Sequence, residues 1–135
     1  MDDCIFCKII KGDIPSYKIY EDDKTYAFLD IAGDFEGHTL VVPKAHTADL
    51  IACPEGDLAA VFATARKLAK HFVEDCGFDG ANLVNCTREA GQQSVFHFHV
   101  HVIPRRNGDG ANVFNTRPDQ GYDLAAVAKK LVLKA

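Results

Sequence analysis

Gln92-Gln93-Ser94-Val95-Phe96-His97-Phe98-His99-Val100-His101-Val102-Ile103-Pro104 is the stretch whose pattern organises the rest of the chain. Side chains alternate across a strand, so residues two apart share a face. The alternation predicts a strand over residues 96–103, closed by Pro104. His97, His99 and His101 would line one face. Phe96, Phe98, Val100 and Val102 would pack beneath helices on the other. Neighbouring imidazoles would start about 7 Å apart. Three of the six histidines of the chain fall within these five residues. A solvated strand face usually draws on Lys, Glu, Thr and Ser instead. A metal site would use neutral imidazoles as ligands. A catalytic site would use histidine as nucleophile, proton donor or phosphate partner near neutral pH.

Residues 16–20 and 25–29 are β-branched or aromatic runs separated by Glu21-Asp22-Asp23-Lys24, which predicts a hairpin. His38-Thr39-Leu40-Val41-Val42 predicts a third strand closed by Pro43, which cannot donate to a ladder. Residues 81–85 predict a further short strand. Leu58, Val61, Phe62, Ala65, Leu68, Ala69, Phe72 and Val73 recur at helical spacing, so a long helix is predicted over 55–76, begun after Pro54 and stopped by Gly77. A short helix is predicted over 5–11, stopped by Gly12, and a last one over 123–133, with Leu124, Val127, Ala128 and Leu131 on one side. Most links between strands are too short for parallel crossovers. The expected class is α+β: about five antiparallel strands with one long and one C-terminal helix on one face.

The chain has 135 residues, which fits one domain over 1–135. With 47% hydrophobic and 25% charged residues it is not disordered, collagen-like or a coiled coil. A net charge of -4 argues against duplex nucleic acid as partner, yet allows one nucleotide in a local site. No apolar run approaches the roughly 18 residues of a membrane span. The acidic start Met1-Asp2-Asp3 lacks the form of a secretory signal. A soluble, cytoplasmic protein is expected. Its five cysteines, an odd number, would then be reduced thiols. Cys53, Cys76 and Cys86 are scattered, while Cys4 and Cys7 form a Cys-x-x-Cys pair.

His97-Phe98-His99-Val100-His101-Val102-Ile103 resembles the His-φ-His-φ-His-φφ pattern of the histidine triad (HIT) family of nucleotide hydrolases and transferases. Other segments resemble the family in its order. They are Cys4-Ile5-Phe6-Cys7-Lys8-Ile9-Ile10 with Ile14-Pro15, then Phe28-Leu29-Asp30-Ile31, then Gly37-His38-Thr39-Leu40-Val41-Val42-Pro43-Lys44-Ala45-His46, then Asn85 with Gly91-Gln92-Gln93-Ser94-Val95. The resemblance runs from Cys4 to about Arg105 and is nearest to the Hint-like branch, which acts on purine nucleoside phosphoramidates.

The resemblance implies a HIT-like fold and a set of roles. His99 would be the nucleophile, forming a nucleotidyl-histidine that water then hydrolyses, two easier steps in place of one hard one. His101 would hold the phosphate or leaving group. His38 and His97 would complete the catalytic cluster. Ser94 and the backbone N–H of Val95 would hold phosphate oxygens, with Asn85 and Gln93 in the same loop. Asp30 would accept from ribose hydroxyls, and Phe6, Phe28 and Ile31 would wall the base. Phe6 and Phe28 serve equally well as core. Cys4, Cys7, His46 and His97 match members that bind zinc, and two thiolates with two imidazoles suit a tetrahedral structural site. His71 matches nothing in the family. The family also implies a homodimer, for which the sequence offers an apolar helix face at Leu58, Phe62, Ala65 and Ala69 that is equally suited to the interior.

Two stretches depart from the family pattern. Asp34-Phe35-Glu36 stands where relatives often carry prolines, and the segment 86–93 is slightly long. Arg105 and Arg106 follow the triad and are either solvated or within reach of a phosphate tail. The expected activity is cleavage at the α-phosphorus of purine nucleoside phosphoramidates. The alternatives are a dinucleoside polyphosphate hydrolase, a nucleotide-binding signalling module with vestigial catalysis, and a hydrolase using zinc-activated water at the three histidines.

Overall fold

The fold is built on a five-stranded sheet in the order β1-β2-β3-β5-β4, with every neighbouring pair antiparallel. The strands are β1 (Lys18–Glu21), β2 (Thr25–Leu29), β3 (Thr39–Pro43), β4 (Gly80–Val84) and β5 (Val100–Arg105). The helices are α1 (Ile5–Lys11), α2 (Glu55–Glu74) and α3 (Leu124–Leu131). This computed structural model describes residues 3–114 and 117–134, so Met1 and Asp2 of the acidic start lie outside it. Among the described residues no helix is long and apolar enough to cross a membrane.

The β1–β2 turn is held by Asp22, whose Oδ1 accepts from the N–H groups of Lys24 and Thr25 at 2.9 and 2.8 Å. Two cores flank the sheet. On one face Val61, Ala65, Leu68 and Phe72 of α2 meet Ala27, Val41, Phe98, Val100 and Val102. On the other, Phe6 and Ile9 of α1 meet Tyr26, Phe28, Leu40 and Val42. β2 and β3 are thus covered on both faces, which is why neither alternates polar with apolar.

Helices on a single face is therefore the expectation that fails. The short α1 covers the opposite face from α2. It is capped at its start by Cys4, whose Sγ accepts from the Cys7 N–H at 3.4 Å, and at its end by Gly12 at φ 87°, a conformation that costs glycine little. The histidine strand also differs. The ladder begins at Val100, not at Phe96, and passes through Pro104 to Arg105. Residues 95–97 bend, and the N–H of Phe98 donates to the Thr47 carbonyl at 2.8 Å. Phe98, Val100 and Val102 enter the core as expected, but Phe96 stands 53% exposed. On α2, Leu58, Ala65 and Ala69 face inward and Phe62 is exposed. α3 buries none of its residues.

Candidate active site

The end of β2, the loop before β3 and the segment that runs into β5 bring three imidazoles, His38, His99 and His101, together with the carboxylates of Asp30 and Asp34. His99 is 3% exposed. Its Nδ1 lies 2.8 Å from the His97 carbonyl, an acceptor, so Nδ1 carries the proton and Nε2 keeps a lone pair. The side chain of Asn85 donates to the His99 carbonyl at 2.9 Å and accepts from the Thr87 hydroxyl at 2.7 Å. The segment at His99 is thereby tied to the loop after β4. The Phe6 ring stands edge-on to His99 with centroids 5.2 Å apart.

His101 has Nδ1 2.9 Å from Nε2 of His38, and Nδ1 of His38 is 2.8 Å from Oδ1 of Asp34. Oδ2 of Asp30 lies 3.8 Å from the same Nε2 of His38. Burial lowers the basicity of His99, so its ring is neutral near pH 7. His101 is pushed down to about 4, first by burial and then by His99 and His38, while Asp30 and Asp34 pull the other way. Burial works most strongly on Asp34, against its ionised form, but the hydrogen bond and charge of His38 and the N–H groups of Asp34 and Phe35 together outweigh it and keep the carboxyl below the ordinary carboxylate range.

A cavity of about 460 Å³ opens in front of these groups, between α1 and the sheet. Phe6, Phe28, Ile31, Asp30, Ser94 and Val95 line it together with His99 and His101. Its walls are apolar on the α1 side, while its inner end carries the histidines. Phe28 is 4% exposed and belongs to the core at the same time. Gln93 does not line the cavity. Its amide is spent on the Ala48 and Val95 carbonyls at 2.7 and 3.0 Å, and its Oε1 accepts from the Arg88 N–H at 2.7 Å. It braces the loop that presents Ser94 and Val95. That loop is strained: Arg88 and Gln92 have φ of 63° and 68°, and each such residue costs on the order of 1–3 kcal/mol. A salt bridge from Arg88 Nε to Asp49 at 3.0 Å helps to hold it.

His97 turns away from the cavity. It is fully buried, its Nε2–H donates to the Pro43 carbonyl at 2.9 Å, and its Nδ1 lies 3.5 and 3.6 Å from the sulfurs of Cys4 and Cys7. Nδ1 of His46 is 3.3 Å from the Cys7 sulfur. The four donor atoms lie within 4.8 Å of one another and could hold a metal ion. The tautomer of His97 leaves its lone pair on the nitrogen that faces the sulfurs, as coordination requires. Burial raises the Cys7 thiol, with Cys4 adding to it, so only a cation would hold both sulfurs ionised. His97 faces the sulfurs, while His38 and His101 stand with Asp30 in a second group whose donor atoms lie within 4.8 Å of one another, so the three histidines of the triad do not share one metal site. Arg105 and Arg106 lie outside the cavity, tied to Asp109 and Glu36. His71 is remote, paired with Asp75.

The family model of the HIT domain matches residues 11–108. The chain belongs to the HIT family. At that level it is a nucleotide hydrolase. The Bacillus subtilis "Protein hit" is 43% identical to this HIT chain over 96% of its length and 95% of the relative's. The Saccharomyces cerevisiae "Adenosine 5'-monophosphoramidase HNT1" is 42% identical over 77% of this chain and 63% of that protein. A Zn-bound histidine triad family protein from Mycobacterium smegmatis has a closely similar structure, with a TM-score of 0.78 and 41% identity over 87% of this HIT chain and 85% of the other.

Proposed function

We propose that this protein hydrolyses purine nucleoside phosphoramidates at the α-phosphorus through a nucleotidyl intermediate on His99. The observation that carries the reading is the His99 ring. It is neutral, its Nδ1–H is spent on the His97 carbonyl, and its Nε2 is free at the inner end of the cavity. In the first step Nε2 attacks phosphorus and the P–N bond to the leaving amine breaks. Nε2 of His101, protonated beside the negative phosphate of the bound substrate, hands the departing amine a proton and takes one back from the water of the second step. In the second step water displaces Nε2 from phosphorus, and the nucleoside monophosphate leaves. Ser94 and the Val95 N–H receive the phosphate oxygens at the cavity edge. Asp30 takes the ribose hydroxyls, and Phe6, Phe28 and Ile31 enclose the base. Asn85 and Gln93 hold the segment that carries the reacting groups. The likeness to the yeast phosphoramidase supports the choice of substrate class.

Zinc at Cys4, Cys7, His46 and His97 would be a structural cross-link on the far side of His97 from the cavity. The four donors suit its tetrahedral preference, and the Zn-bound mycobacterial relative supports the choice.

The test is release of AMP from adenosine 5′-phosphoramidate, set beside a dinucleoside tetraphosphate. Turnover of the phosphoramidate at least tenfold faster is expected; the reverse order would move the assignment to the polyphosphate hydrolase. AMP binding without any turnover would move it to the silent binding module. The family expectation of a homodimer is supported by the free edge of β4, with Leu83 exposed, and by the exposed Phe62 of α2. Sedimentation at micromolar concentration is expected to give twice the chain mass, and a monomer there removes the dimer.

A further inference from the structure

We infer that Asp34 is a positioning residue of this site, the outer member of an Asp34–His38–His101 relay that sets the proton on the histidine facing the leaving group. The contacts are short and end to end: Asp34 Oδ1 to His38 Nδ1 at 2.8 Å, then His38 Nε2 to His101 Nδ1 at 2.9 Å. An ionised carboxylate only accepts, so His38 Nδ1 carries a proton. With His38 neutral, its Nε2 accepts, and the proton between the two rings belongs to His101 Nδ1. That leaves Nε2 of His101 as the nitrogen that takes up and releases protons at the cavity. When His101 becomes an imidazolium, its Nδ1–H points at a ring nitrogen of His38 that accepts, because the Asp34 carboxylate holds the proton of that ring on its other nitrogen. An aspartate that orients one histidine in this way is a known device of acid–base catalysis; here a second histidine extends its reach.

Asp34 is in the segment where this sequence departs from the family pattern, and the structure shows that segment to be anchored. The Arg105 guanidinium lies over the Phe35 ring at 5.4 Å, and Arg106 pairs with Glu36 at 2.9 Å. Gly37, at φ 82°, lies against Pro104, whose Cγ would be 3.1 Å from an added Cβ. These three ties fix the loop to the end of β5, the strand that carries His101. Asp34 is half-exposed, whereas the His38 ring it meets is 8% exposed, so one end of the relay is wet and the other buried. The charged or titratable groups that face His101 are His99, His38, Asp30 and Asp34. Asp30 accepts the Ala32 N–H with Oδ1 and lines the cavity, while Asp34 stands behind His38.

The kinetic arm of the test rests on the phosphoramidate reading; the spectroscopic arm does not. In D34N the amide can still accept from His38 Nδ1–H but the charge is gone, so protonated His101 loses support. The expected result is a fall in kcat of about tenfold at pH 7 with KM changed less than threefold, a small part of the 10²–10⁴ that general acid catalysis supplies. The decline of kcat on the alkaline side should set in at lower pH than in the wild type, because the acid is weaker. D34E should recover most of kcat. Unchanged kcat and pH profile in D34N would overturn the relay, as would equal losses in D34N and D34E together with a lowered melting temperature. ¹⁵N imidazole spectra are read on the same proteins and on D34A. His38 should be the Nδ1–H tautomer in the wild type and should redistribute toward Nε2–H in D34A. An unchanged tautomer there overturns the relay whether or not phosphoramidates are turned over. If the wild type turns over none, the substrate reading fails while the spectra still decide the role of Asp34.

Discussion

His99→Asn is expected to retain the fold and lose turnover of adenosine 5′-phosphoramidate by a factor on the order of 10⁴ or more. Losses of that size are seen when the nucleophile of a covalent route is removed and only binding and positioning remain. Asparagine is the informative replacement here. Its Nδ2 reaches about as far as Nδ1 of the imidazole, so the donor to the His97 carbonyl survives. What disappears is Nε2, the atom assigned to attack. Alanine would also vacate a buried side chain that packs edge-on against Phe6, and its lost packing would obscure a chemical loss. The readouts are AMP release, AMP affinity and melting temperature. Affinity within a few-fold of the wild type, with turnover gone, locates the loss in the chemical step. Rapid quenching of the wild type should then show a nucleotide adduct on His99 that His99→Asn lacks. A variant that still turns over within tenfold of the wild type removes His99 as nucleophile, and with it the covalent mechanism.

The same atoms show what can be read from sequence and what cannot. Alternation places His99 and His101 on one side and Phe98, Val100 and Val102 on the other, and the structure agrees, because period two reflects which face is buried. The alternation says nothing about where ladder pairing starts. Phe96 follows the pattern yet lies outside the ladder, since residues 95–97 bend as the His97 side chain turns toward Cys4 and Cys7. The period of α2 was equally legible, with Val61, Ala65, Leu68 and Phe72 inward, but α1 carries too few residues to reveal which face of the sheet it covers. Cys4, Cys7, His46 and His97 are gathered from three separate segments, and only the family resemblance linked them beforehand. Gln93 and Asn85 are harder cases. Each sits beside the cavity-lining residues in sequence, but their amides are consumed by internal carbonyl, hydroxyl and N–H groups. Asp34 carries no sequence signal beyond its departure from the family pattern. Its role depends on a loop shape fixed by Phe35, Glu36 and Gly37 against residues about 70 positions away.

Removing the Cys4–Cys7–His46–His97 group should cost more stability than catalysis. α1 has seven residues, too few for a helix to persist alone in water. It is held by the contacts of Phe6 and Ile9 and by its cysteine end. A zinc ion there would join segments as far apart as residues 4 and 97 and so restrict the unfolded chain as well as the folded one. Cys7→Ser is therefore expected to lower zinc content from about one per chain to near zero. A loss of about 3 kcal/mol would lower the melting temperature by roughly 10 °C in a domain of this size. His99, His101 and His38 lie across the His97 backbone from the sulfurs, so kcat should stay within about threefold. KM should rise, because Phe6 walls the cavity from α1. Metal analysis, thermal unfolding and steady-state kinetics on one preparation decide the matter. A wild type free of zinc, matched in melting temperature by Cys7→Ser, would dismiss the metal site. A chelated protein that stays folded, keeps its KM and loses kcat would place the metal in the chemistry and contradict the assignment of His99. A raised KM with kcat preserved would mean that the ion shapes the wall of the nucleoside cavity while the attack remains the work of imidazole.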